Sequence, residues 1–141
     1  MVDERVVATK LEQIEQYHSE LVEKRSALSR SDYLESTTEQ RAVERMFENA
    51  IQACADLARH VASRAFEYED DSAKGAVRLL GRADIPDEET TETLVTAIGF
   101  RNVLAHEYGH VNEEAVFETL QSGLDVYDAF SRQVASWYRE R

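Results

Sequence analysis

The chain has 141 residues, 43% of them hydrophobic and 31% charged, enough for one domain that hides about 70% of its unfolded surface, which excludes a disordered chain. No apolar run approaches the ~20 residues of a membrane-spanning helix. Asp and Glu total 28 against 16 Lys and Arg, for a net charge of -12, which argues against binding nucleic acid through a broadly basic surface but not against an enzyme with a few focused arginines.

Helix formers dominate, and Pro86 is the only proline. No Asn-Gly or Asp-Gly turn separates alternating strands, so nothing reads as a hairpin. The first predicted helix spans Asp3 to Leu28. Val7, Leu11, Ile14, Leu21 and Leu28 form its stripe, and His18 and Arg25 fill further stripe positions. SRSDYLES breaks that pattern. A second helix starts near Thr37 or Thr38 and carries a wide stripe from Val43 through Phe47, Ile51, Cys54, Leu57 and Val61 to Phe66, as expected of the central helix. The acidic EYEDDS connector follows. A short helix then runs from about Ala73 to Leu80 and stops at Gly81. The Asp84-Ile85-Pro86-Asp87 turn opens a helix from about Glu88 to His106. Gly109 marks a break, and Asn112 is the expected N-cap of a last helix reaching Tyr138. The sum is an all-α, up-and-down bundle of four long helices and one short one, a single domain over residues 1–141.

Among the basic residues only Lys10, Lys24 and Lys74 are lysines. An acid-rich, lysine-poor surface suits a salt-rich cytoplasm, where screening relieves self-repulsion. The opening MVDERVVATK has no apolar signal stretch and also points to the cytoplasm. Cys54, the only cysteine, stands among apolar residues and reads as a small core side chain. Trp137, Tyr138, His60 and His18 read as packing residues.

The chemistry concentrates in Gly99-Phe100-Arg101-Asn102-Val103-Leu104-Ala105-His106-Glu107-Tyr108-Gly109-His110. On a continuous helix Asn102 and His106 are i,i+4 neighbours, while Arg101 and His106 stand about 140° apart. A long Arg side chain, or a break at His106, brings the latter pair together. Arg101 is suited to clamp a phosphate bidentately, and His106 to move protons. RNA carries its own nucleophile, the 2′-OH, so a base and a guanidinium could cleave the backbone without a metal. The same residues also serve a purely structural role, an Arg and a His capping a helix C-terminus. A third reading is H-E-x-x-H, His106 to His110, the zinc-protease string. It needs an unbroken helix and a third ligand. Gly109 interrupts it, no later His exists, and Glu113, Glu114 or Glu118 would serve only by accident of folding. No metal or cofactor is therefore expected.

Arg101-Asn102-Val103-Leu104-Ala105-His106-Glu107-Tyr108, R-N-x-L-x-H-x-Y, resembles the signature of the HepT-like ribonucleases, small helical RNA-cutting domains of the HEPN superfamily. Tyr33-Leu34, the Glu44-Arg45 to Ala58-Arg59-His60 helix, Ile85-Pro86 and Gly109-His110-Val111 are also similar, so the resemblance covers essentially the whole chain. It implies a homodimeric toxin of a toxin–antitoxin pair, with an RNA-cutting cleft between subunits. Arg101 and His106 would be the catalytic pair and Asn102 a supporting residue. The implied partner is a nucleotidyltransferase antitoxin of the MntA type, which silences the toxin by transferring AMP to Tyr108. The variable position after the His holds Glu107, an acid beside the phosphate site. The alternative is a non-catalytic HEPN module that binds the transferase without cutting RNA.

Overall fold

The computed structural model describes residues 1–104 and 111–141. Among them are seven helices and no strand. Helix α1 (Glu4–Ala27) starts at Asp3, whose carboxylate accepts the Arg5 N–H, and buries a narrow seam of Val7, Ile14 and Leu21. SRSDYLES is more than a break. It holds a one-turn helix, α2 (Arg30–Leu34), nucleated by a capping box in which Ser29 and Asp32 satisfy each other's backbone N–H groups. That turn drives Tyr33 into the core, fully buried.

Helix α3 (Thr37–Phe66) begins at Thr37, with Ser36 as its cap, the Ser36 hydroxyl accepting the Glu39 N–H. It is the central helix. Val43, Phe47, Ile51, Leu57 and Val61 supply bulk, and Ala50, Ala53, Ala55, Ala58 and Ala62 let neighbours approach its backbone. Cys54 is buried there, and burial pushes its thiol well above the ordinary range. Helix α4 (Ala73–Arg82) continues through Gly81 instead of stopping at it. The glycine serves a close approach to helix α5 (Glu88–Phe100): a Cβ on Gly81 would lie 2.6 Å from the Thr91 side chain. Asp87 caps α5 by accepting the Thr90 N–H, with Pro86 just ahead of the cap.

Asn112 caps helix α6 (Glu113–Ser122), its side chain accepting the Ala115 N–H at 3.2 Å. The expected single last helix is two. Gly123 interrupts it, buried Leu124 turns the chain, and helix α7 (Asp125–Arg139) follows. Gly123 is a poor helix former, and the α6 ladder ends where its N–H donates to the Thr119 carbonyl. Helix α3 packs against α1, α4, α5 and α7, α1 also packs on α7, and α5 lies between α4 and α7. The short helix α6 crosses α1 and α2. Phe66 and Trp137 stack with centroids 6.4 Å apart, tying the end of α3 to the end of α7. The N-terminus is pinned where the Asp3 N–H donates to His60 Nε2 at 3.0 Å. Among the described residues no helix is long and apolar enough to cross a membrane.

Candidate active site

The run of helix expected to reach His106 ends sooner: α5 closes at Phe100. The chain then tightens. The N–H groups of Arg101, Asn102 and Val103 donate to the carbonyls of Ile98, Gly99 and Phe100 at 3.2, 3.1 and 2.9 Å, an i→i+3 pattern. Two apolar residues flank the turn. Phe100 packs edge-on against Phe47 of α3, centroids 5.5 Å apart, and Leu104 is buried. Holding both inside leaves the polar residues between them outside. Arg101 is half-buried, and Asn102 and Val103 are exposed. The 100° step of an α-helix therefore does not carry past Arg101.

Arg101 reaches back to α3. Its Nη1 donates to Gln52 Oε1 at 3.4 Å. Gln52 Nε2 donates to Asp56 Oδ1 at 2.8 Å, one turn along the helix. Asp56 also accepts from Arg59 Nη2 at 2.8 Å and from Lys10 Nζ of α1 at 3.1 Å. Burial pushes the Asp56 carboxyl up, yet the hydrogen bonds from Gln52 and Lys10 pull it below the usual carboxylate range. Lys74 lies close by: a Cβ on Gly99 would stand 3.3 Å from its ammonium nitrogen.

A second polar cluster receives the chain where it enters α6. Tyr33 Oη donates to Glu113 Oε1 at 2.6 Å, and Arg41 Nη1 donates to Glu113 Oε2 at 3.3 Å. The same Arg41 nitrogen lies 2.7 and 2.8 Å from the two oxygens of Glu44, which is buried. Burial and the neighbouring Glu113 carboxyl push Glu44 upward against the pull of Arg41. Burial and the bond to Glu113 raise the Tyr33 hydroxyl likewise. The chain on either side of residues 105–110 is thus seated on α3 or its neighbour α2.

Of the residues singled out in the sequence, Arg101 and Asn102 stand at the surface turn after α5. His106 and Tyr108, with Glu107, Gly109 and His110 of the zinc string, lie outside the described residues. Glu113 and Glu114, two of the acids that string would need, are committed elsewhere: Glu113 to Tyr33 and Arg41, Glu114 to Arg30 at 2.8 Å. Sequence reading missed Gln52, Asp56 and Arg41. The i,i+4 spacing of Gln52 and Asp56 was its one legible trace.

Residues 9–134 match the family described as Ribonuclease HepT-like. A tRNA nuclease HepT from Aphanizomenon flos-aquae is 30% identical over 132 residues, covering 94% of this chain and 89% of the relative. An mRNA nuclease HepT from Shewanella oneidensis is 23% identical over 100 residues, 71% of this chain and 75% of that protein. The fold matches a tri-AMPylated Shewanella oneidensis HEPN toxin in complex with MNT antitoxin (TM-score 0.82, 19% identity, 93% of this chain and 97% of that one). It also matches YutE of Bacillus subtilis, a cytosolic protein of unknown function (TM-score 0.82, 15% identity, 99% and 92% covered). With its all-α fold and its Arg101-Asn102 turn, this chain belongs to the HepT-like ribonuclease family, a family of RNA-cutting enzymes.

Proposed function

We propose that the chain is a metal-independent endoribonuclease toxin of a cytoplasmic toxin–antitoxin pair, cutting RNA with Arg101 and His106 at a homodimer cleft. The observation that supports it most is the setting of Arg101. Its guanidinium stands half-buried at a surface turn, held by a neutral amide, with its charge available to a phosphate. In this reading Arg101 grips the scissile phosphate. His106 takes the proton of the 2′-OH, whose oxygen attacks the adjacent phosphorus. The P–O5′ bond breaks, the 5′ oxygen takes up a proton, and the other fragment ends in a 2′,3′-cyclic phosphate. One motif supplies one Arg and one His, too few for base and acid together, so two copies meet across a two-fold axis. Exposed Val103 beside Arg101 suits that contact. Asn102 supports the turn.

Regulation follows the same reading. An MntA-type nucleotidyltransferase transfers AMP to Tyr108. The added phosphate competes for Arg101 and repels the RNA backbone, so silencing blocks binding without unfolding the domain. The HepT relative from Aphanizomenon flos-aquae is a tRNA nuclease, which makes tRNA the first substrate to try. Purified protein incubated with tRNA in EDTA is expected to yield cyclic-phosphate ends and to leave DNA intact, since DNA lacks the 2′-OH. Activity lost in EDTA and restored by zinc would overturn the reading in favour of H-E-x-x-H. Tight binding of the transferase with no cleavage would make the chain a non-catalytic module. Co-expression with the transferase should add AMP mass to Tyr108, and Tyr108→Phe should cut RNA but resist silencing. An unmodified Tyr108 in a silenced complex would mean simple occlusion.

A further inference from the structure

Among the described residues two arginines, Arg101 and Arg64, are held by a neutral carbonyl oxygen, and only Arg101 by that of a side chain. Arg30, Arg41, Arg45, Arg59 and Arg132 each lie within 3.3 Å of a carboxylate oxygen. Among the described residues Arg101 is hydrogen-bonded instead to the carbonyl oxygen of Gln52. The direction of that amide is fixed chemically. Asp56 only accepts hydrogen bonds and a guanidinium only donates them. Gln52 lies between the two, so its NH2 faces Asp56 and its oxygen faces Arg101. Asp56 is in turn immobilised by Lys10 and Arg59.

Building on the nuclease reading above, we infer that Gln52 is a positioning residue for RNA cleavage: it aims the Arg101 guanidinium without cancelling its charge, and Asp56 sets the orientation in which it does so. A carboxylate at position 52 would hold Arg101 more tightly, but as an ion pair. The phosphate would then have to displace a charged competitor instead of a neutral one. An apolar residue there would leave the charge free and the side chain unaligned. The neutral amide gives alignment and free charge together. Three donors on Asp56 keep its own negative charge committed one helical turn from Gln52.

The test uses the full-length protein, with Gln52→Glu and Gln52→Leu, and a tRNA pool as substrate. Gln52 is exposed, so both variants should fold with melting temperatures near that of the wild type. Gln52→Glu is expected to raise KM about tenfold, the loss of one charge-assisted contact, with kcat much less affected. Gln52→Leu is expected to lower kcat several-fold with KM nearly unchanged. A purely structural role would move melting temperature and not split the two constants. Nitrogen-15 NMR of the Arg101 side chain reads the contact whether or not RNA is cut. Rotation about its Nε–Cζ bond should be hindered in the wild type and in Gln52→Glu, and free in Gln52→Leu and Asp56→Leu. Equal rotation in all four would overturn the inference, as would a Gln52→Glu enzyme with wild-type KM. Hindered rotation in a protein that cuts no RNA would overturn the nuclease reading and leave Gln52 as the holder of Arg101.

Discussion

Near its N-terminus α3 receives the chain through charge. Arg41 faces the carboxylates of Glu44 and Glu113, and the Tyr33 hydroxyl completes the cluster. About three turns further along, the same helix holds Arg101 through the neutral amide of Gln52. Glu44 and Tyr33 are buried, whereas Gln52 is exposed and Arg101 half-buried. The difference separates two tasks. A buried carboxylate such as Glu44 needs a cation, here the exposed Arg41, because an unpaired ion in the interior is costly. A phosphate site needs a cation whose position is fixed and whose charge is not yet spent. In the proposed reading one helix does both, and the kind of partner each arginine has tells the two apart.

The largest expected effect sharpens that contrast. Arg101→Ala should lower tRNA cleavage by about a hundredfold or more, on the scale of losing a transition-state donor, with little change in melting temperature. Arg41→Ala should do the opposite in kind, lowering melting temperature because it withdraws the guanidinium facing Glu44 and Glu113. If Arg101→Ala destabilised the fold as much as Arg41→Ala, both ends would be structural and the contrast would fail. A smaller effect is expected at Tyr33→Phe. It loses a buried hydroxyl–carboxylate bond and should cost about 1 kcal/mol in denaturant melts. No loss of stability there would mean that the hydroxyl contributes nothing to the clamp.

The smallest effect is a difference of sign. Asp56 titrates below the usual carboxylate range in the folded protein. Its contribution to stability is therefore present above that range and disappears as pH falls through the folded value. Glu44 is raised. Its protonated form is favoured by the fold, so stability declines as pH rises from the ordinary carboxylate range through the raised value. Stability profiles of Asp56→Asn and Glu44→Gln, each subtracted from wild type, should slope in opposite directions with pH. Carboxyl carbon-13 titrations provide the site-resolved check. Parallel slopes would show that the two regions do not differ as argued.

Local patterns in the sequence were enough for much of the fold. The apolar stripes of α1 and α3 stand out because each follows the helical period, and Asn112 is legible as a cap from its type and place. The end of α5 is not, because Val103-Leu104-Ala105 has adequate helix propensity, and Phe100 and Leu104 keep the i,i+4 spacing of a continuing helix. The split between α6 and α7 is hidden for a similar reason: one glycine is compatible with a continuing helix, and buried Leu120 and Leu124 keep the i,i+4 spacing. Gly81 misleads in the reverse sense, since its small size answers to Thr91 on another helix. At the site, Arg101 and Asn102 are readable from the motif they share with the HepT-like ribonucleases. Gln52 is not, because its contact with Arg101 spans 49 residues of sequence.

The central claim, that Arg101 carries an uncancelled charge to an RNA phosphate, has a direct test. Binding of tRNA is measured against salt concentration for His106→Ala, which separates binding from cleavage, and for His106→Ala with Arg101→Ala. Each phosphate contact on a single strand contributes about 0.7 to the slope of log affinity against log salt. The second protein is expected to bind more weakly and with a slope shallower by about that amount per Arg101 engaged. Identical affinity and slope in the two proteins would contradict the account, because Arg101 would then touch no phosphate.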